Sequence, residues 1–180
     1  MNIDEKVMSV LDKLRGGDLR SIGRSNEIVA DIEEDSTIIE KVFPGLYDRD
    51  PVLRARSADV IEKATRNRPE LLLNHKKEMI SILRDETQQE VCWHIAQMIP
   101  RLKYTPEEEK EIVDELNKYL SHKSKIVRVS ALDALTDLAE KNQAIVKEVI
   151  NKIRFHVETG SPAIQARGRK LLKRLNVKGE

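Results

Sequence analysis

The chain has 180 residues, in which 32 Lys and Arg stand against 31 Asp and Glu for a net charge of +1. That balance excludes a uniformly basic nucleic-acid binder and an acidic tail protein. Charged residues at 35% with aromatics at only 3% point to helices rather than sheets, and argue against a deep aromatic ligand pocket. The opening MNIDEKVMSV carries acids at once and no signal-peptide apolar run. No window approaches the roughly 18 apolar residues of a membrane-spanning helix. The single cysteine, Cys92, cannot form an internal disulfide and makes a thiolate metal cluster implausible. The expectation is a cytoplasmic protein that does not touch membranes.

Taken in chain order, helices are predicted over Asn2–Arg15 and from Leu19 to about Ala30, an atypical first pair. Ile38, Ile39, Val42, Phe43 and Leu46 mark the next helix. Asp50-Pro51 then opens a helix with an apolar stripe at Leu53, Ser57, Val60, Ile61 and Ala64. Leu71, Leu72, Met79, Ile80 and Leu83 follow. After a weak capping box at Asp85 and Gln88 comes the stripe Val91, Ile95, Met98, Ile99 and Leu102. Thr105-Pro106, with Glu108 completing a stronger box, opens the helix of Ile112, Val113, Leu116 and Leu120. The stripe Val127, Ala131, Ala134, Leu135 and Leu138 follows it. Last come Val146, Val149, Ile150 and Ile153, and then, behind Ser161-Pro162, Ile164, Gly168, Leu171, Leu172 and Leu175.

The four stripes share one template, offsets 0, 4, 7, 8 and 11, and begin 38, 36 and 37 residues apart. Evenly spaced copies of one template mean an internal repeat. Each period is a helical hairpin, giving about ten helices in five pairs within one domain, 1–180. The approximate repeats are 1–35, 36–68, 69–103, 104–141 and 142–180. A lone hairpin cannot shield its stripe, so neighbours must close over it. Burying one Leu or Ile contributes roughly 1.5–3 kcal/mol, and several repeats are needed before burial exceeds chain entropy.

Leu53-Arg54 with Asp48, an apolar-Arg pair with an aspartate six residues before the arginine, resembles the mark of HEAT repeats. Val127-Arg128 keeps the arginine, with His122 in the aspartate's place. Val91-Cys92 and Ile164-Gln165 lack the arginine. The resemblance covers roughly residues 36 to 175. It implies an all-α fold, a right-handed α–α superhelix of about five HEAT-like hairpins, binding partners on a concave face lined by the second helices.

A helical wheel sets which side chains face outward there. With the stripe centred near 20–40° at about 100° per residue, template position two falls opposite the core and holds Ala55, Trp93, Val129 and Ala166. Position six holds Asp59, Gln97, Asp133 and Lys170, and position nine Glu62, Pro100, Thr136 and Lys173. Trp93, Gln97, Asp59, Asp133, Lys170 and Lys173 are therefore the candidate partner-binding residues. Trp93, the only tryptophan, is either a contact anchor or a side chain packed between repeats, since small residues share its column. Charge is uneven as well. Residues 1–50 carry 12 acids and 7 bases, while residues 161–180 carry 6 bases (Arg167, Arg169, Lys170, Lys173, Arg174, Lys178) and one acid. The basic end suits an acidic or phosphate-bearing partner, or is a solvated terminal face. Opposite-ended charge also suits head-to-tail association, although a monomer is the default expectation.

No catalytic constellation is visible. Asp31-Ile32-Glu33-Glu34-Asp35 lacks the glycine and spacing of a calcium loop. His75, His94, His122 and His156 lack metal-ligand spacing, and Cys92 and His94 point apart on one helix. No metal or cofactor is expected. The expected function is a non-enzymatic scaffold binding a protein or peptide. The alternatives are a nucleic-acid binder of the HEAT-like DNA glycosylase kind, or an accessory protein resembling the HEAT-like bilin lyases.

Overall fold

The structure, a computed structural model, describes residues 9–175. The predicted segment from Asn2 to Met8, and Lys178, lie outside them. The described chain is helical throughout, with ten α-helices and no strand. It divides into two compact units between Asn74 and His75, inside the predicted 69–103 repeat.

The N-terminal unit contains α1 (Val10–Leu14), α2 (Ser25–Glu34), α3 (Ile39–Val42) and α4 (Pro51–Thr65). A 3-10 turn, Phe43–Tyr47, leads from α3 towards α4. α1, α2, α3 and this turn all pack on α4, which is why α4 buries residues all round its circumference, Arg56, Glu62 and Thr65 included. The predicted helix from Leu19 is a correction. Residues 15–24 form a loop, and helix begins only at Ser25. Gly16, Gly17 and Gly23 take positive φ (81°, 76° and 53°), which side chains rarely adopt. Asp18 turns the loop by accepting the Arg20 and Ser21 amides. The loop wraps Arg56, which is 5% exposed. Its guanidinium donates to the carbonyls of Leu14 (2.8 Å), Ser21 (3.1 Å), Arg15 (3.3 Å) and Asp18 (3.4 Å). A Cβ on Gly23 would sit 2.7 Å from that guanidinium.

The C-terminal unit contains α5 (Lys76–Asp85), α6 (Gln89–Met98), α7 (Pro106–Tyr119), α8 (Lys125–Lys141), α9 (Gln143–Thr159) and α10 (Pro162–Arg174). They form three hairpins, α5 with α6, α7 with α8 and α9 with α10. Successive hairpins meet through α5 on α7, α6 on α8 and α8 on α10. The stripe residues make these contacts. Val91, Ile95, Met98, Ile99, Val127, Ala131 and Leu135 are all fully buried. Thr105 and Glu108 form the predicted capping box, with bonds of 3.2 and 2.9 Å, and Asp50 caps α4 through the Val52 amide. Two predicted caps differ. Asp85 ends α5, and Glu86 instead accepts the Thr87 and Gln88 amides (2.7 Å each). Ser161 stands at the α10 N-cap without a capping bond. Its buried hydroxyl has no protein partner.

The turns before the second helices repeat one hydrogen-bond module. Arg54 donates to the Asp48 carbonyl (2.8 Å), Cys92 to that of Glu86 (3.4 Å) and Arg128 to that of His122 (3.0 Å), always six residues back. The accepting residue also takes an amide two residues on through its side chain: Asp48 from Asp50, Glu86 from Gln88, His122 from Ser124. The bond runs to a backbone carbonyl, so the side chain of that residue need only be an acceptor. Carboxylate and imidazole Nδ1 both serve. Before α10, Gln165 bonds the Gly160 carbonyl, five residues back.

Candidate functional site: the outward face of the second helices

Within the C-terminal unit, α6, α8 and α10 lie side by side and carry five of the six predicted contact residues. Trp93 is half-buried and Gln97 exposed on α6, Val129 and Asp133 are half-buried on α8, and Ala166, Lys170 and Lys173 are exposed on α10. Trp93 is thus neither sealed between hairpins nor fully in water, and its ring leans on His94 with centroids 5.4 Å apart. Asp59, the sixth, belongs to the N-terminal unit. There its carboxylate pairs with Lys63 (2.8 Å), which also reaches Asn26 of α2. Lys63 thus ties α4 to α2, and Asp59 holds it in place.

Position nine needs correction. Glu62 is 4% exposed and Thr136 fully buried, and Pro100 is buried too. The wheel assumes one bare side per helix, and α4 has none. Glu62 is closed over by Arg66 at 2.6 Å. Thr136 turns its hydroxyl back to the Leu132 carbonyl (2.8 Å), and Lys141 covers the Pro100 carbonyl. Lys173 alone of that column reaches solvent.

Charge on this face is mostly paired. Arg167 of α10 meets Asp133 of α8 at 2.7 Å, and Arg174 forks onto Asp137 and Glu140 at 2.6 Å each. Glu140 and Asp137 hold Arg174 above the ordinary guanidinium range. Asp133 is pushed up by burial, against the pull of Arg167. Two of the arginines counted in the basic terminal segment therefore tie α10 to α8 rather than building a basic cleft. Arg169, Lys170 and Lys173 remain exposed, with no ion pair among the described residues.

Sequence reasoning missed a second concavity on the first helices. Leu120, just after α7, and Asn151, Lys152, Phe155 and His156 of α9 line a groove of about 360 Å³. Phe155 is 59% exposed there. It lies off the stripe of its helix, and a large apolar residue at a polar position was the available signal. Burial and nearby cations lower both His122 and His156, Arg128 acting on each. The neutral ring suits His122, whose Nδ1 accepts the Ser124 amide. Burial also pushes the Cys92 thiol up, away from the thiolate a nucleophile needs.

Among the described residues no group of three or more His, Cys, Asp or Glu is placed to hold a metal ion. No described helix is long and apolar enough to cross a membrane. Compared with family models, curated proteins and solved structures, the chain finds no match in any of the three.

Proposed function

We propose that this chain is a non-enzymatic binding module of the HEAT-like kind, a right-handed α–α superhelix whose second-helix face receives a protein or peptide. The observation that carries the reading is Trp93. A lone tryptophan held half-open beside exposed Gln97, on a face shared with Val129 and Ala166, has the chemistry of a contact anchor. An aromatic side chain restricted by its neighbours loses little entropy on binding. The surrounding paired charges supply a polar rim around that anchor.

The test is capture by the immobilised full chain from its own cell extract, followed by titration of the recovered partner against Trp93 fluorescence. The expected result is stoichiometric capture, a blue shift of Trp93 emission on binding, and at least about tenfold weaker binding by Trp93→Ala/Gln97→Ala. That variant should melt within about 2 °C of the parent. Unchanged binding by the variant, or no partner retained by the parent, contradicts the reading. A lower melting point with unchanged binding would make Trp93 a packing residue.

A further inference from the structure

The turns that lead into α4, α6 and α8 share one hydrogen-bond module, yet the side chain accepting the amide differs in kind. Asp48 takes the Asp50 amide at 2.9 Å and Glu86 the Gln88 amide at 2.7 Å, both on carboxylate oxygens. His122 takes the Ser124 amide at 3.0 Å on Nδ1. A backbone N–H can only donate, so Nδ1 must offer its lone pair and the ring proton sits on Nε2. Imidazole is the side chain whose ordinary titration falls between pH 5 and 8. Arg15, by contrast, holds the Asp48 carboxyl below the ordinary carboxylate range.

The surroundings of the His122 ring offer an added proton nothing to pair with. Lys123 of the same turn and Arg128 of α8 bear on it, and Arg128 also donates to the His122 carbonyl at 3.0 Å. From α7, the Tyr119 ring lies 6.4 Å away, and burial pushes its hydroxyl far up. Glu86 and Glu115 bear on that hydroxyl, and Lys118 pairs with Glu115 at 2.7 Å. On α9, His156 and Lys152 stand near one another, and Arg128 bears on His156 as well. No described carboxylate pairs with His122. Burial, Lys123 and Arg128 together hold the closed ring below the ordinary imidazole value of 6.5. An opened turn returns the ring to that ordinary value. The ring therefore favours the closed turn above about pH 6.5 and loses that contribution as pH falls.

We propose that the α7–α8 turn is an acid-opened joint. A proton on Nδ1 turns the acceptor into a donor facing the Ser124 N–H, and the bond that closes the turn is lost. The imidazolium then stands among Lys123 and Arg128, which strains the Arg128 bond to the His122 carbonyl. The first turn of α8 loosens, while the matching turn before α4 keeps its carboxylate acceptor and stays shut.

The test is NMR and amide hydrogen exchange of the full chain at pH 7 and pH 5, each rate taken relative to the unfolded chain. The Ser124 amide resonance should shift along with the titration of the His122 ring. Protection of the Ser124 and Arg128 amides should fall about tenfold at pH 5. The equivalent amides of Asp50 and Arg54, bonded to Asp48 and to the Asp50 carbonyl, should keep theirs. His122→Asp installs the acceptor found before α4 and should abolish the fall. His122→Asn makes the same repair without adding a charge. His156→Gln should leave the fall in place, which separates the ring of the turn from the one on α9. Constant protection in the parent chain overturns the proposal. So does a fall that either His122 variant retains, or one that vanishes in His156→Gln.

Discussion

Replacing Arg56 with Ala is expected to destabilise the N-terminal unit by about 3 kcal/mol, and Arg56→Lys to recover little of it. The guanidinium is almost fully buried and donates to carbonyls of Leu14, Arg15, Asp18 and Ser21. A hydrogen bond to a charged group contributes roughly 1.5–3 kcal/mol, and an orphaned buried acceptor costs about 1–3 kcal/mol. The sum over four carbonyls would be larger. The loop lies at the surface, however, and water can reach part of it once the side chain is gone. Lysine presents a single ammonium where the carbonyls need a planar fork. Hydrogen exchange separates the local from the global effect. Amides of residues 15–24 should lose protection first, and those of α4 should follow as the unit weakens. Unchanged exchange in both segments would mean that Arg56 is not what holds the loop.

Leu135→Ala is expected to cost about 2–5 kcal/mol, and Leu172→Ala less than about 1 kcal/mol. The two leucines occupy the same template position in successive hairpins. Leu135 is fully buried between neighbours, whereas Leu172 is half-open at the edge. Removing Leu135 leaves a cavity that packed hairpins cannot collapse, while water already reaches Leu172. Urea unfolding of both variants checks the difference. Equal costs would show that the last hairpin is as enclosed as the one before it.

Much of the helical order was legible because burial follows periodicity. Leu53, Val91, Val127 and Ile164 stand at the same place in four stripes, and all are buried. The first pair departs from its helical spacing. Leu19 and Ile22 have helical spacing, but three glycines and Asp18 make a loop there, and both apolar side chains are exposed at 47% and 49%. Arg56 was not legible at all. Nothing local distinguishes a buried arginine from a solvated one, because its carbonyl partners lie more than thirty residues away. The departures from the apolar-Arg pattern were legible as residues but not as chemistry. His122 and Cys92 look like losses in sequence, yet each completes the turn bond that Asp48 and Arg54 make elsewhere. For the candidate site, the wheel placed Gln97, Lys170 and Lys173 outward, where they are. It could not foresee that Asp133 pairs with Arg167 or that α4 is enclosed all round.

Small-angle X-ray scattering of the full chain, extrapolated to zero concentration, tests the proposed superhelix most directly. Were all five hairpins stacked as proposed, at helix spacings of about 8–10 Å, the array would extend over roughly 45–50 Å with a radius of gyration of about 18 Å or more. A compact globule of 180 residues has about 16 Å. A value of about 18 Å or above is the expected result, and one at about 16 Å would contradict the array and the binding face built on it.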